Sequence, residues 1–226
     1  MSTASLVSRA TSRATPPGRY AARVAVTAAA ASAIAITVAG FVDPGYSHLQ
    51  EGISALASRE SQAAPIMVVG FFAMATTLLA AGVALFSALP GKKARAAAIL
   101  IMLAGVITAV SGIFPQDCSS QQADCRLRES AETVSGSHVL HNLIAIPLFL
   151  FLTIAAFLLA AALRRTPALR GYARVGWLIA VAGLLLMVAF GADVAGDLGG
   201  LVQRVLVLLA YGWPVLLVAR LTRTPR

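Results

Sequence analysis

The stretch VLHNLIAIPLFLFLTIAAFLLAAAL, residues 139 to 163, contains no charged side chain. As an α-helix rising 1.5 Å per residue it would be roughly 37 Å long, which exceeds the ~30 Å hydrocarbon core of a bilayer. Lipid offers no partner to exposed backbone N–H and C=O groups, so a helix is the form such a segment takes there. Five further apolar runs accompany it: Val24–Val42, Pro65–Leu89, Ala96–Phe114, Val175–Ala192 and Leu201–Ala219. Only the last holds a charge, Arg204, near its start. The expected fold is all-α: a polytopic bundle of six transmembrane helices.

Composition agrees. Of 226 residues, 58% are hydrophobic and 12% charged, whereas a soluble domain carries about 25% charged residues. The net charge of +9 does not indicate a nucleic-acid binder, because the basic residues flank apolar runs instead of forming a patch. Fourteen of the 18 basic residues fall on one side of the six-span topology, in the N-terminal arm, the second and fourth connections and the tail. The positive-inside rule puts that side, with both termini, in the cytoplasm. All nine acidic residues and all three histidines then fall on the outer side. Acidic residues contribute little to topology, so their segregation suggests a function on the outer face. The first run is read as a retained helix, since it is longer than a signal-peptide core.

The organisation expected is a disordered basic arm over residues 1–19, a six-helix domain over 20–220 and a tail over 221–226. Outer loops span about 43–64, 115–138 and 193–200. No internal repeat of three helices plus three is visible, and no central carboxylate, which argues against a transporter. Thr37, Thr76, Thr77, Thr108 and Thr153 can bond to their own helices. Gly105 and Gly112, and Gly183 and Gly191, are spaced like close-packing positions, and Pro147 and Pro214 are candidates to kink their helices.

The first outer loop opens with the turn Asp43-Pro44-Gly45. Beyond it, Leu49, Ile53, Leu56 and Ala57 make an amphipathic stripe that predicts a short helix on the membrane surface, with His48 and Glu51 on adjoining positions. The second outer loop holds the only two cysteines, Cys118 and Cys125, with six residues between them. On an oxidising face a disulfide is the default; a metal pair would show closer spacing. His138 and His141 share a helix face at i and i+3. His48, Asp117, His138 and His141 are the set that would hold zinc if they converged, but hydrogen-bonding roles are the simpler reading and no cofactor is expected. Arg204 is expected to pair with Asp193 or Asp197, the alternative being a cation aimed at a lipid phosphate.

The segments GYSHLQEGISALASRESQAAP, GIFPQDC with its second cysteine, and SHVLHN resemble a bacterial membrane family known as domain of unknown function 998. The resemblance covers nearly the whole chain after the arm. It implies a six-helix protein of the bacterial plasma membrane and marks Tyr46, His48, Ile53, Ser54, Phe114, Pro115, Asp117, His141 and Asn142. Two departures stand out: Ile-Ser-Ala-Leu lacks the acidic residue often found before the leucine, and the family's cysteine before the aspartate stands here after it, as Cys118. The resemblance implies no activity.

Two functions follow as expectations. One is a non-enzymatic protein whose outer face binds a lipid headgroup or a protein partner, through Tyr46, His48, Glu51, Asp117, His138, His141, Asn142 and Arg204. The other is a membrane-embedded lipid hydrolase, with or without a metal, with Asp43, His48, Ser54, Asp117 and His141 as candidate catalytic groups. Convergence of His48, Asp117 and His141 would favour the second.

Overall fold

The computed structural model describes residues 16–165, 169–192 and 194–222. Its helices are α1 (Pro16–Val42), α2 (Ala64–Ala88), α3 (Lys92–Ile113), α4 (Ala123–Ser130), α5 (Gly136–Leu163), α6 (Arg170–Gly191) and α7 (Gly199–Thr222), with 3-10 turns at Ile53–Ala57 and Gly196–Leu198. Six of the seven α-helices are long and apolar enough to cross a membrane, and no strand occurs among the described residues. The chain is a multi-pass membrane protein. Residues 1–15 of the expected arm and 223–226 of the tail lie outside the described residues; Pro16–Arg19 already belong to α1.

Helix ends on the acidic side match the apolar runs to within a residue or so, whereas helix starts on the basic side come earlier. Lys92, Lys93 and Arg95 lie in the first turn of α3, and Arg170 and Arg174 lie in α6. Long basic side chains can keep their heads in the aqueous layer while the backbone stays helical.

Successive spanning helices pack side by side, α1 on α2, α2 on α3, α3 on α5, α5 on α6 and α6 on α7. The last helix then returns to α1 and α2 and closes the ring. The α2–α3 contact is tight. A Cβ on Gly82 would stand 2.9 Å from the Ala98 carbonyl oxygen, and one on Gly105 would stand 3.1 Å from that of Ala75. Gly191 has no such neighbour within 4 Å, so its spacing from Gly183 does not mark a packing seam. Without a hydrophobic force between helices in lipid, close approach of this kind is the main source of cohesion. A polar bond crosses the interior: the Tyr211 hydroxyl donates to Thr108 Oγ1 at 2.7 Å, while Thr108 donates to the Ala104 carbonyl. Thr37, Thr76 and Thr77 likewise bond to carbonyls of their own helices. Pro147 and Pro214 sit inside continuous helices.

Candidate functional site

The two long connections at the acidic end fold into two polar clusters, joined where Gln122 donates to Glu51, the Gly52 N–H donates to Gln121, Arg59 faces Asp117 and Arg128 faces Glu60. The second connection is the denser. Cys118 and Cys125 form a disulfide, fully buried, that ties α4 to the chain leaving α3. α4 lies within the expected outer loop 115–138. Its signal was the pair Asp124 in the first turn and Arg128 in the last, which complement the helix dipole.

Asp117 is buried, and its carboxylate accepts from the Ser135 backbone N–H at 2.5 Å and the Ser135 hydroxyl at 2.8 Å. Arg59 Nε lies 3.5 Å away. Burial alone would raise its pKa, but the two Ser135 bonds, with Arg59 and His138, outweigh it and hold the carboxyl below its ordinary value. The Asp117 backbone N–H donates to His138 Nδ1 at 3.1 Å. His138 therefore keeps its proton on Nε2, which donates to Glu129 at 2.7 Å. Ser135 caps α5 by accepting from the His138 backbone N–H.

His141 turns the other way. Its Nδ1–H is shared between the Ser111 and Phe114 carbonyls, at 3.1 and 2.8 Å, acceptors that the end of α3 would otherwise leave unpaired. Asn142 accepts from Gln116 Nε2. Beside this network an open depression of about 440 Å³ is rimmed by Arg59, Glu60 and Arg128. Its charges are internally matched, Arg59 with Asp117 and Arg128 with Glu60.

The first connection does not form the expected surface helix. Only Ile53–Ala57 is helical, as a 3-10 turn, and Ile53, Ala55, Leu56 and Ala57 are buried. Leu49, at the other end of the expected stripe, is 54% exposed. The physical reason lies 150 residues along the chain. The Leu49 and Gln50 carbonyls accept from the Leu201 and Gly200 N–H groups, two donors that the start of α7 leaves open. The Ile53 N–H donates to Gln203 Oε1. These bonds hold residues 48–52, a turn and a bend closed by the Glu51 N–H on the Ser47 carbonyl at 2.8 Å, as a strap across the N-terminus of α7. Gly200 permits the approach, since a Cβ there would collide with the Glu51 backbone.

Arg204, one turn into α7, meets the underside of this strap. Nη1 donates to the Glu51 carbonyl at 2.9 Å and to that of Gly200 at 3.0 Å. Nη2 donates to the Tyr46 hydroxyl and, at 3.4 Å, to His48 Nδ1, and the guanidinium lies over the Tyr46 ring. Tyr46 in turn donates to the Glu51 and Gly52 carbonyls. Burial pushes its pKa up to about 12, despite the opposing pull of Arg204. Glu51 is buried but aims its carboxylate at the Ser47 N–H and the Gln122 side chain. The expected ion pair is thus replaced. Asp197 is not a partner of Arg204, and Asp193 lies outside the described residues. Among the described residues no carboxylate comes within ion-pairing distance of Arg204, and its acceptors are all neutral.

The sequence-predicted residues accordingly divide. Tyr46, His48, Glu51 and Arg204 come together at the strap; Asp117, His138 and Asn142 at the disulfide; His141 caps α3. Asp43 accepts from the Ser61 hydroxyl. No hydrogen bond or ion pair links any two of Asp43, His48, Ser54, Asp117 and His141. Nor do His48, Asp117, His138 and His141 converge on one point among the described residues. The grouping of metal-ligand atoms there is Cys118, Cys125 and His138. It does not fit zinc: both sulfurs are in the disulfide and both His138 nitrogens are engaged.

Residues 25–220 match the model of a family described as protein of unknown function (DUF998), and the chain belongs to that family. No curated protein and no solved structure matches it.

Proposed function

We propose that this family member binds the phosphate of a lipid headgroup at Arg204, on an extracytoplasmic face that corresponds to the acidic end of the bundle. The observation that carries the reading is a half-buried guanidinium whose acceptors are all neutral. A charge one turn inside a membrane helix is costly unless something balances it, and phosphate is a geometrically suited counter-ion for a guanidinium. The weakest of its four bonds is the one to His48, at 3.4 Å, and His48 is exposed. A phosphate oxygen would take the place of that imidazole. The positive-inside arrangement of the basic residues supports the orientation.

The experiment is a titration of detergent-solubilised protein with phosphatidylglycerol, and in parallel with diacylglycerol, which lacks the phosphate, read by native mass spectrometry. Selective binding of phosphatidylglycerol, weakened at least tenfold by Arg204→Gln, supports the site. Equal binding of both lipids, or no change in the variant, refutes it.

A further inference from the structure

A groove of about 320 Å³ opens sideways between α1, α2 and α7, with Arg204 among its lining residues. Its α7 wall is the stripe Arg204, Val207, Leu208, Tyr211 and Val215. At 1.5 Å per residue that stripe is roughly 16 Å long, about half of a ~30 Å hydrocarbon core and so the depth of one leaflet. The facing α1 wall is Ala29, Ser32, Ala33, Ile36 and Thr37; its first turn, Ala29 to Ala33, carries only small side chains, which leave space there.

The hydroxyl hydrogens along the groove are already committed. Ser32 donates to the Ala29 carbonyl, Thr37 to Ala33, Thr77 to Ala73 and Tyr211 to Thr108. What remains for a ligand is an apolar trench with one cation at its acidic end. A trench of this section and length suits a single alkyl chain, and the cation suits an anionic head joined to it. An acceptor group would find no free hydroxyl donor along these walls, and a neutral lipid would leave Arg204 without a counter-charge.

We infer that the groove between α1, α2 and α7 holds one acyl chain of a phosphate-headed lipid, the phosphate lying at Arg204 and the chain running toward the bilayer midplane. This inference rests on the headgroup reading above and adds the chain as a second determinant. The ligand is then a membrane lipid and not a soluble phosphate.

The test uses the full chain, wild type beside Ala33→Trp, Ala29→Phe and Arg204→Gln, titrated by native mass spectrometry with phosphatidylglycerol, a single-chain lysophosphatidylglycerol and glycerol 3-phosphate. Ala33 is exposed toward the groove mouth, so Trp there fills the trench without entering the core, and Ala29→Phe is an independent second filling. Expected are binding of both lipids, at least tenfold weaker binding of glycerol 3-phosphate, and a loss of lipid affinity of tenfold or more in each filling variant. Glycerol 3-phosphate binding as well as the lipids, with loss only in Arg204→Gln, would overturn the groove and leave the headgroup reading standing. Loss in the filling variants with none in Arg204→Gln would overturn the phosphate-headed ligand. No loss in any variant would overturn both.

Discussion

The two connections at the acidic end carry similar residue types and end in opposite electrostatic states. In the second, Asp117, Glu129 and His138 satisfy one another and the backbone around a disulfide. In the first, Arg204 is held by carbonyls, a hydroxyl and an imidazole, with no anion in pairing distance among the described residues. The difference teaches that a dense group of histidines and carboxylates is not by itself a site. Where every donor has its acceptor, the group is a clamp. Where a charge is oriented by neutral partners beside open space, a ligand has something to complete.

Breaking the clamp should have the largest effect, and on stability alone. Asp117→Ala removes two short bonds to a carboxylate and should cost about 3 kcal/mol, measured by denaturant unfolding in detergent, with lipid affinity unchanged in the fraction that remains folded. The pH dependence has a definite sign. The folded-state pKa of Asp117 is depressed, so its contribution is complete above the unfolded value of about 4 and is lost as pH falls through the folded value. Thermal unfolding of the wild type should therefore weaken below about pH 4, and Asp117→Asn should flatten part of that acid limb.

Cys118→Ser with Cys125→Ser should cost about 2.5 kcal/mol, the loop-closure value for so short a loop, in the same assay and again without a change in lipid affinity. A smaller effect, on binding, is expected at the strap. Arg204→Gln should lose tenfold or more in phosphatidylglycerol affinity, equivalent to about 1.4 kcal/mol. Tyr46→Phe should be the mildest, near 1 kcal/mol in stability, with only a few-fold loss of affinity, because the carbonyls of Glu51 and Gly200 still orient the guanidinium. A variant of the disulfide cluster that lost lipid binding while remaining folded would erase the contrast between the two regions.

The spans were legible because lipid imposes length and apolarity on each helix separately, without reference to its neighbours. Cys118–Cys125 was legible because the chain has only two cysteines and both fall in one connection. The partners of Arg204 were not. Sequence proximity favoured Asp193 and Asp197, whereas Tyr46 lies 158 positions away and meets Arg204 only after α7 has closed the ring against α1 and α2. The surface helix failed for the same reason. The periodicity of Leu49, Ile53 and Leu56 was real, but the unpaired N–H groups of α7 recruited the Leu49 and Gln50 carbonyls and held residues 48–51 as a turn and bend in place of a continuous helix. Nor does sequence spacing tell whether His48, Asp117 and His141 converge; the fold puts His48 with Arg204, Asp117 with Ser135 and His138, and His141 on the end of α3.

Cryo-electron microscopy of the wild-type protein in phosphatidylglycerol nanodiscs tests the central claim most directly. A phosphate-sized density within hydrogen-bond distance of the Arg204 guanidinium, continuous with chain density along α7, is the predicted result, with none in the depression bounded by Arg59, Glu60 and Arg128. An unoccupied Arg204 beside an ordered lipid head in that depression would contradict it.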